Sequence, residues 1–178
     1  MLNSAHANGR LSFAIRIATT ASIAALLIAT TTVASARGGN AGATNKKALV
    51  GSWLETVTFP PETGRPPIKS LGTFHADGTM TCSDQGGVTT DPASVVTSCH
   101  GVWTHLEDRT FAYTSLALIS DLNGNLAAYL KVRGIYTVSA SGNQYEGTSF
   151  AQVLAPNGNV LFSVDVTNAG QRIQIELP

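Results

Sequence analysis

Acidic residues are missing from the first 54 positions of this 178-residue chain, Glu55 being the first of them. Charge stays sparse throughout: 11 basic and 11 acidic side chains make up 12% of the residues and sum to zero. A protein that grips a phosphate backbone needs a basic stripe, so nucleic acid is not an expected partner. Cysteine is limited to Cys82 and Cys99, and no Cys-x-x-Cys or His-x-His spacing accompanies them, so no metal site is expected. The chain also lacks a Gly-x-Ser-x-Gly nucleophile elbow and any glycine-rich phosphate loop opening a helix. Beyond Val50 no segment sustains apolar residues at i, i+3 and i+4, which excludes a helical domain. No cofactor is expected.

What the N-terminus does have is Arg10 and Arg16, an apolar stretch from Ile17 to Ala29, and the small-residue run Ala34-Ser35-Ala36. That order predicts a cleavable secretory signal over 1–36. The stretch is too short for a hydrocarbon core that takes roughly 20 residues, so no stable membrane insertion is expected after cleavage. Residues 37–47 read as a flexible leader and 48–178 as one domain. The expected destination is secreted or periplasmic. Both cysteines lie in the exported part, an oxidising setting, and are predicted to pair. Closing their Gly-, Thr- and Ser-rich loop is worth about 3 kcal/mol in the chain-entropy model.

Short β-branched and aromatic runs alternate with turn signals at Asp77-Gly78, Asn123-Gly124, Ser141-Gly142-Asn143, Asn157-Gly158 and Ala169-Gly170. Between them the pattern predicts strands at 50–59, 68–76, 79–84, 98–106, 109–119, 126–140, 144–155, 159–168 and 171–177. Pro60-Pro61 and Pro66-Pro67 cannot sit in central strands, so 60–67 is a loop placed to flank a cavity mouth. Eight or nine such strands expose two sheet edges unless the sheet closes. The expected fold is therefore all-β, a single antiparallel up-and-down barrel. On the longest strand Leu126, Ala128, Leu130, Val132, Gly134, Tyr136 and Val138 share the inward face, with Gly134 suited to a bend at a barrel corner.

Leu49-Val50-Gly51-Ser52-Trp53 opens the first strand, and this Gly-x-Trp ahead of a long meander resembles the lipocalins and the wider calycin superfamily. Gly101-Val102-Trp103 and Arg109 to Tyr113 look similar to segments of compact bacterial lipocalin-like barrels. The resemblance implies that Trp53 closes the barrel base with Arg172 of the last strand packed over it, a contact worth about 0.5–2 kcal/mol. The alternative is an ordinary core tryptophan and a surface arginine. The chain departs from the family in having no helix after the last strand and no Thr-Asp-Tyr-type motif in its central turns.

Candidate chemistry is thin. His6 falls in the signal, His75 sits at a turn beside Asp77, and His100 and His105 are five apart, on opposite faces of a continuous strand and unfit to share a metal. Aromatic residues are the stronger signal. Trp103, Phe111, Tyr113, Tyr136, Phe150 and Phe162 are the candidate walls of an interior that either just fills or holds one small molecule. A hollow barrel would bind a small hydrophobic or aromatic ligand. A cofactor-free cyclase or isomerase on the same barrel would leave almost no motif, and its candidate groups are Tyr113, Tyr136, His105 and Glu107. A filled barrel would be structural.

Overall fold

A computed structural model describes residues 45–85, 88–90 and 93–178, with the side chains of 88–90 and 93 left aside. The expected signal at 1–36 and most of the leader at 37–47 lie outside the described residues. Ten strands follow: β1 (Gly51–Thr58), β2 (Ile68–Phe74), β3 (Thr79–Asp84), β4 (Val88–Thr90), β5 (Ala93–Val96), β6 (Cys99–Glu107), β7 (Thr110–Asp121), β8 (Leu126–Val138), β9 (Gln144–Leu154) and β10 (Val160–Arg172). All pair antiparallel, in the order β7-β6-β3-β2-β1-β10-β9-β8, and β8 returns to β7. The result is a closed eight-stranded up-and-down barrel, consistent with a calycin-like fold. The β4–β5 hairpin is added where β5 pairs with the far end of β7.

The turn chemistry explains most boundaries. Gly78, Gly124, Gly142 and Gly158 all take positive φ, the left-handed backbone that a side chain makes costly. Asp77 and Asp121 brace their turns by accepting hydrogen bonds from the backbone N–H of Thr79 and Asn125 at 2.9 and 2.8 Å. Ala169-Gly170 is the exception. The sequence predicts a turn there, with separate strands at 159–168 and 171–177, but β10 runs through unbroken. Ala169 pairs with Thr56 on one side and Glu146 on the other, and Gly170 with Glu55 and Tyr145. Gly170 is needed for space, because a Cβ there would strike the Tyr145 ring. Residues 173–178 form no strand, and Ile175 and Leu177 are 92% and 88% exposed.

Cys82 and Cys99 form a disulfide, directly opposite each other in the β3–β6 pairing with Cα atoms 4.9 Å apart. The bond closes the loop that carries the β4–β5 hairpin, two short strands the sequence pattern did not resolve.

One end of the barrel is filled. Leu49, Trp53, Phe74, Phe111, Tyr145 and Val138 are its large, almost wholly buried side chains. Trp53 donates its indole N–H to the Leu49 carbonyl at 2.9 Å and meets Tyr145 edge-on with centroids 4.8 Å apart. Arg172, opposite Trp53 in the β1–β10 register, sets its guanidinium carbon 4.2 Å from the Trp53 ring centroid. Its three nitrogens donate to the carbonyls of Ala48, Val50 and Gly142 at 2.6, 2.6 and 2.7 Å. One planar fork thus ties together the chain entering β1, the β8–β9 turn and the last strand.

Candidate functional site

The other half of the barrel is hollow. A cavity of about 320 Å³ runs from Phe74, Met80 and Tyr145 near the filled end to Phe59, Arg65, Gln85 and Phe162 at its mouth. Inward positions explain the change. Ser70, Gly72, Ser115 and Ala151 are too small to meet across an eight-stranded barrel, while Val57, Ile68, Ile119, Leu130, Val132 and Val153 give it apolar walls. At the mouth the 60–67 loop folds over a short 3₁₀ turn, Pro61–Thr63, and puts the Arg65 guanidinium 4.4 Å from the Phe59 ring centroid.

Between the hollow and filled halves lies a ring of buried polar groups. Glu55 projects inward from β1 and is 8% exposed. Its Oε1 accepts from the Tyr136 hydroxyl at 2.6 Å and from Asn168 Nδ2 at 2.7 Å. Tyr136 is 2.9 Å from the Tyr113 hydroxyl, which in turn lies 2.8 Å from Ser149 Oγ. Ser149 donates to Asn168 Oδ1 at 2.7 Å, closing the circuit. Tyr145 stacks on Tyr136 with centroids 4.3 Å apart and lines the cavity beside the ring. Five strands contribute: β1, β7, β8, β9 and β10.

Cross-strand pairing explains how three rings fit side by side. Tyr113 lies opposite Gly134, Tyr136 opposite Gly147, and Tyr145 opposite Gly170. At each of these glycines a Cβ would collide with its partner tyrosine. Gly134 therefore serves close approach by a ring, where the sequence suggested a bend.

Burial dominates the electrostatics. It raises the Glu55 carboxyl above the ordinary carboxylate range, against the opposing hydrogen bonds from Tyr136, Asn168 and Tyr145. Burial also raises Tyr113, Tyr136 and Tyr145, helped by the negative charge Glu55 carries when ionised, so the phenols stay protonated donors. A carboxyl whose charged form is disfavoured by burial, set at the floor of an apolar cavity, is a candidate acid–base group. Among the described residues no cluster of His, Cys, Asp and Glu is arranged to hold a metal ion.

Of the residues singled out in the sequence, Tyr113 and Tyr136 sit in the ring and Phe162 lines the mouth. Trp103 and Phe111 pack beneath the cavity with centroids 5.7 Å apart, and Trp103 directs its N–H to the carbonyls of His75 and Thr79. Phe150 faces outward beneath Arg133, whose guanidinium carbon is 5.5 Å from its ring centroid. His105 bonds to the Asp108 carbonyl at 2.9 Å beside the β6–β7 turn, and exposed Glu107 is in the same turn region, so neither reaches the cavity. Glu55, Asn168 and Ser149 escaped sequence reasoning. A signal was available in Glu55: it is an acid in a strand, two residues after Trp53 and on the same face. No family model, no curated protein and no solved structure matches this chain.

Proposed function

We propose that this is an exported, lipocalin-like barrel that binds one small, mostly apolar molecule, with a single polar group of that molecule turned toward Glu55. The observation that carries the reading is the form of the interior: an apolar cavity of about 320 Å³ ending on a buried polar ring. That volume and mixture of walls are typical of small-molecule sites, in which a few polar groups set orientation. A barrel with a purely structural role would have no use for the void, since empty space loses dispersion contacts. Export is supported by the disulfide, which persists in oxidising compartments.

Titration with 1-aminoanthracene tests the binding. The expected result is a saturable, one-to-one rise in probe fluorescence that Val132→Trp, filling the cavity from β8, abolishes while the far-ultraviolet spectrum stays unchanged. Wild-type protein that gives no saturable signal, or a Val132→Trp variant that binds equally well, would overturn the reading. Native mass spectrometry of protein from its own host should show the barrel carrying a retained small molecule. Terminal sequencing of the same material should begin at Arg37.

A further inference from the structure

The ring has one more contact than it has protons to fill it, and that mismatch assigns it a chemistry. Five contacts close it: Glu55–Tyr136, Tyr136–Tyr113, Tyr113–Ser149, Ser149–Asn168 and Asn168–Glu55. With Glu55 ionised, Tyr136, Tyr113 and Ser149 each bring one hydroxyl proton and Asn168 brings one N–H, which makes four. The single proton of Tyr136 cannot serve both Glu55 and Tyr113, although both oxygens lie within 2.9 Å of it. One contact is left as two oxygens facing each other with nothing between them. A proton on Glu55 Oε1 supplies the fifth. The carboxyl then donates to Tyr136, Tyr136 to Tyr113, Tyr113 to Ser149, Ser149 to Asn168, and Asn168 back to the carboxyl. Exchanging the two amide atoms of Asn168 reverses the sense of this circuit and leaves the count unchanged.

We infer that the ring is a one-proton acid–base site and that the barrel isomerises apolar β,γ-unsaturated ketones. This rests on the binding reading above. Ionised Glu55 removes a proton from the carbon between the carbonyl and the double bond. The C–H bond breaks, its electron pair moves through the carbonyl, and the negative charge collects on the oxygen of a dienolate. Both ring contacts of Glu55 are made at Oε1, so the abstracted proton arrives on Oε2, the oxygen the ring leaves free, and the neutral carboxyl no longer sets a full negative charge against the unprotonated contact of the ring. Tyr145 stands outside the circuit, lines the cavity and stacks on Tyr136, so its hydroxyl is the donor assigned to the dienolate oxygen. Glu55 then returns the proton to the far carbon of the former double bond. The double bond moves into conjugation, Glu55 is ionised again, and no oxidant, reductant or second substrate is consumed.

The walls fix the substrate class. A neutral carbonyl accepts from Tyr145 without placing a second charge beside Glu55, whereas a carboxylate there would face like charge with no cation in reach. Among the described residues lining the cavity, the one cation is Arg65, at the mouth. Glu55 and Tyr145 are the catalytic residues, and Tyr136 positions Glu55.

The test uses 4-butylcyclohex-3-en-1-one in deuterated buffer, followed by NMR for deuterium entering the α carbon and for the conjugated isomer. Binding is measured separately by displacement of 1-aminoanthracene. Wild-type protein is expected to bind the ketone and accelerate exchange. Glu55→Gln should still bind the ketone measurably and, at saturating ketone, lose on the order of a hundredfold or more in rate, the usual contribution of a positioned acid–base group. Tyr136→Phe should keep binding but shift the pH at which the rate is half-maximal, a readout that a merely structural tyrosine would leave in place. Ketone bound with exchange no faster than in buffer overturns the isomerase and leaves the binding reading standing, as does a Glu55→Gln variant as fast as wild type. Failure to bind both the ketone and 1-aminoanthracene overturns the binding reading and the isomerase with it.

Discussion

Replacing Gly147 by alanine should destabilise the fold, although an alanine at that backbone conformation would ordinarily stabilise it. Gly147 lies in β9 and is not one of the glycines with positive φ, so alanine fits its backbone and restricts the unfolded chain, an effect worth about 0.4–1 kcal/mol in favour of folding. Against this, an ideal Cβ would stand 2.6 Å from Tyr136 Cδ1 and closer still to the Ile135 carbonyl oxygen. The carbonyl belongs to the adjacent strand and the tyrosine is held at its hydroxyl by Glu55 and Tyr113, so neither can step aside cheaply. Overpacking of this kind costs about 1–3 kcal/mol, which leaves a net loss of roughly 1–2 kcal/mol. For a domain of this size that lowers Tm by roughly 3–8 °C. Gly72 is the control. It too has no positive φ, but its Cβ would lie 3.7 Å from the nearest atom, Phe74 Cε2, an ordinary contact. Urea denaturation of the two variants side by side should give opposite signs, Gly72→Ala neutral to stabilised and Gly147→Ala destabilised. Two variants of equal stability would refute the claim that the strand glycines exist to admit the tyrosine rings.

Three further outcomes are expected. Because burial raises Glu55 from its reference value of 4.5, the folded protein holds that proton more tightly than the unfolded chain does. The stability it contributes is therefore complete below about pH 4.5 and is lost as pH rises through the folded-state value. Glu55→Gln should flatten the slope of urea-unfolding free energy against pH in that window, and a slope unchanged from wild type would show that Glu55 is not its source. The double variant Cys82→Ser/Cys99→Ser should unfold about 3 kcal/mol more readily, with a higher m as the unfolded chain, freed of the loop, exposes more surface; an unchanged stability would show that the bond carries none. Arg172→Lys keeps the charge but cannot reach the carbonyls of Ala48, Val50 and Gly142 together, and should cost roughly 2–3 kcal/mol and alter the near-ultraviolet signal of Trp53. A lysine variant as stable as wild type would show that the fork geometry carries no stability.

The barrel was legible because its signals are local. Positive-φ glycines at 78, 124, 142 and 158 mark hairpins within a few residues of sequence, and the alternation from Leu126 to Val138 assigns an inward face without knowledge of any partner strand. Ala169-Gly170 misled because the same residue types serve a second purpose. A strand glycine opposite a large ring resembles a turn glycine until the register is known, and register is a non-local property. The polar ring was hidden for the same reason. Glu55 and Asn168 are 113 positions apart and Tyr136 is 81 from Glu55, so nothing in a short window announces that they meet. The sequence motif around His105 and Glu107 collects titratable groups in one place, but a turn between two strands lies at the barrel rim, away from the cavity.

The position of the ring along the barrel axis bears on why a polar cluster survives there at all. Buried hydroxyls, an amide and a carboxyl are costly unless every polar atom finds a partner, and apolar side chains of similar shape are often as stable or more so. Here no buried side-chain nitrogen or oxygen among the described residues lacks a partner. The filled end, with Trp53, Phe74, Phe111 and the Arg172 fork, already supplies a packed base that fixes strand register. Strand register in turn sets each tyrosine against its glycine, and those pairs set the hydroxyls at bonding distance. The ring is thus held in place from below by a core it does not itself stabilise, while its upper face is left to the cavity. The packed base and the polar ring occupy successive levels of the same eight strands, joined by Tyr145, which packs on Trp53 below and on Tyr136 above, so the base that fixes register also preorganises the ring.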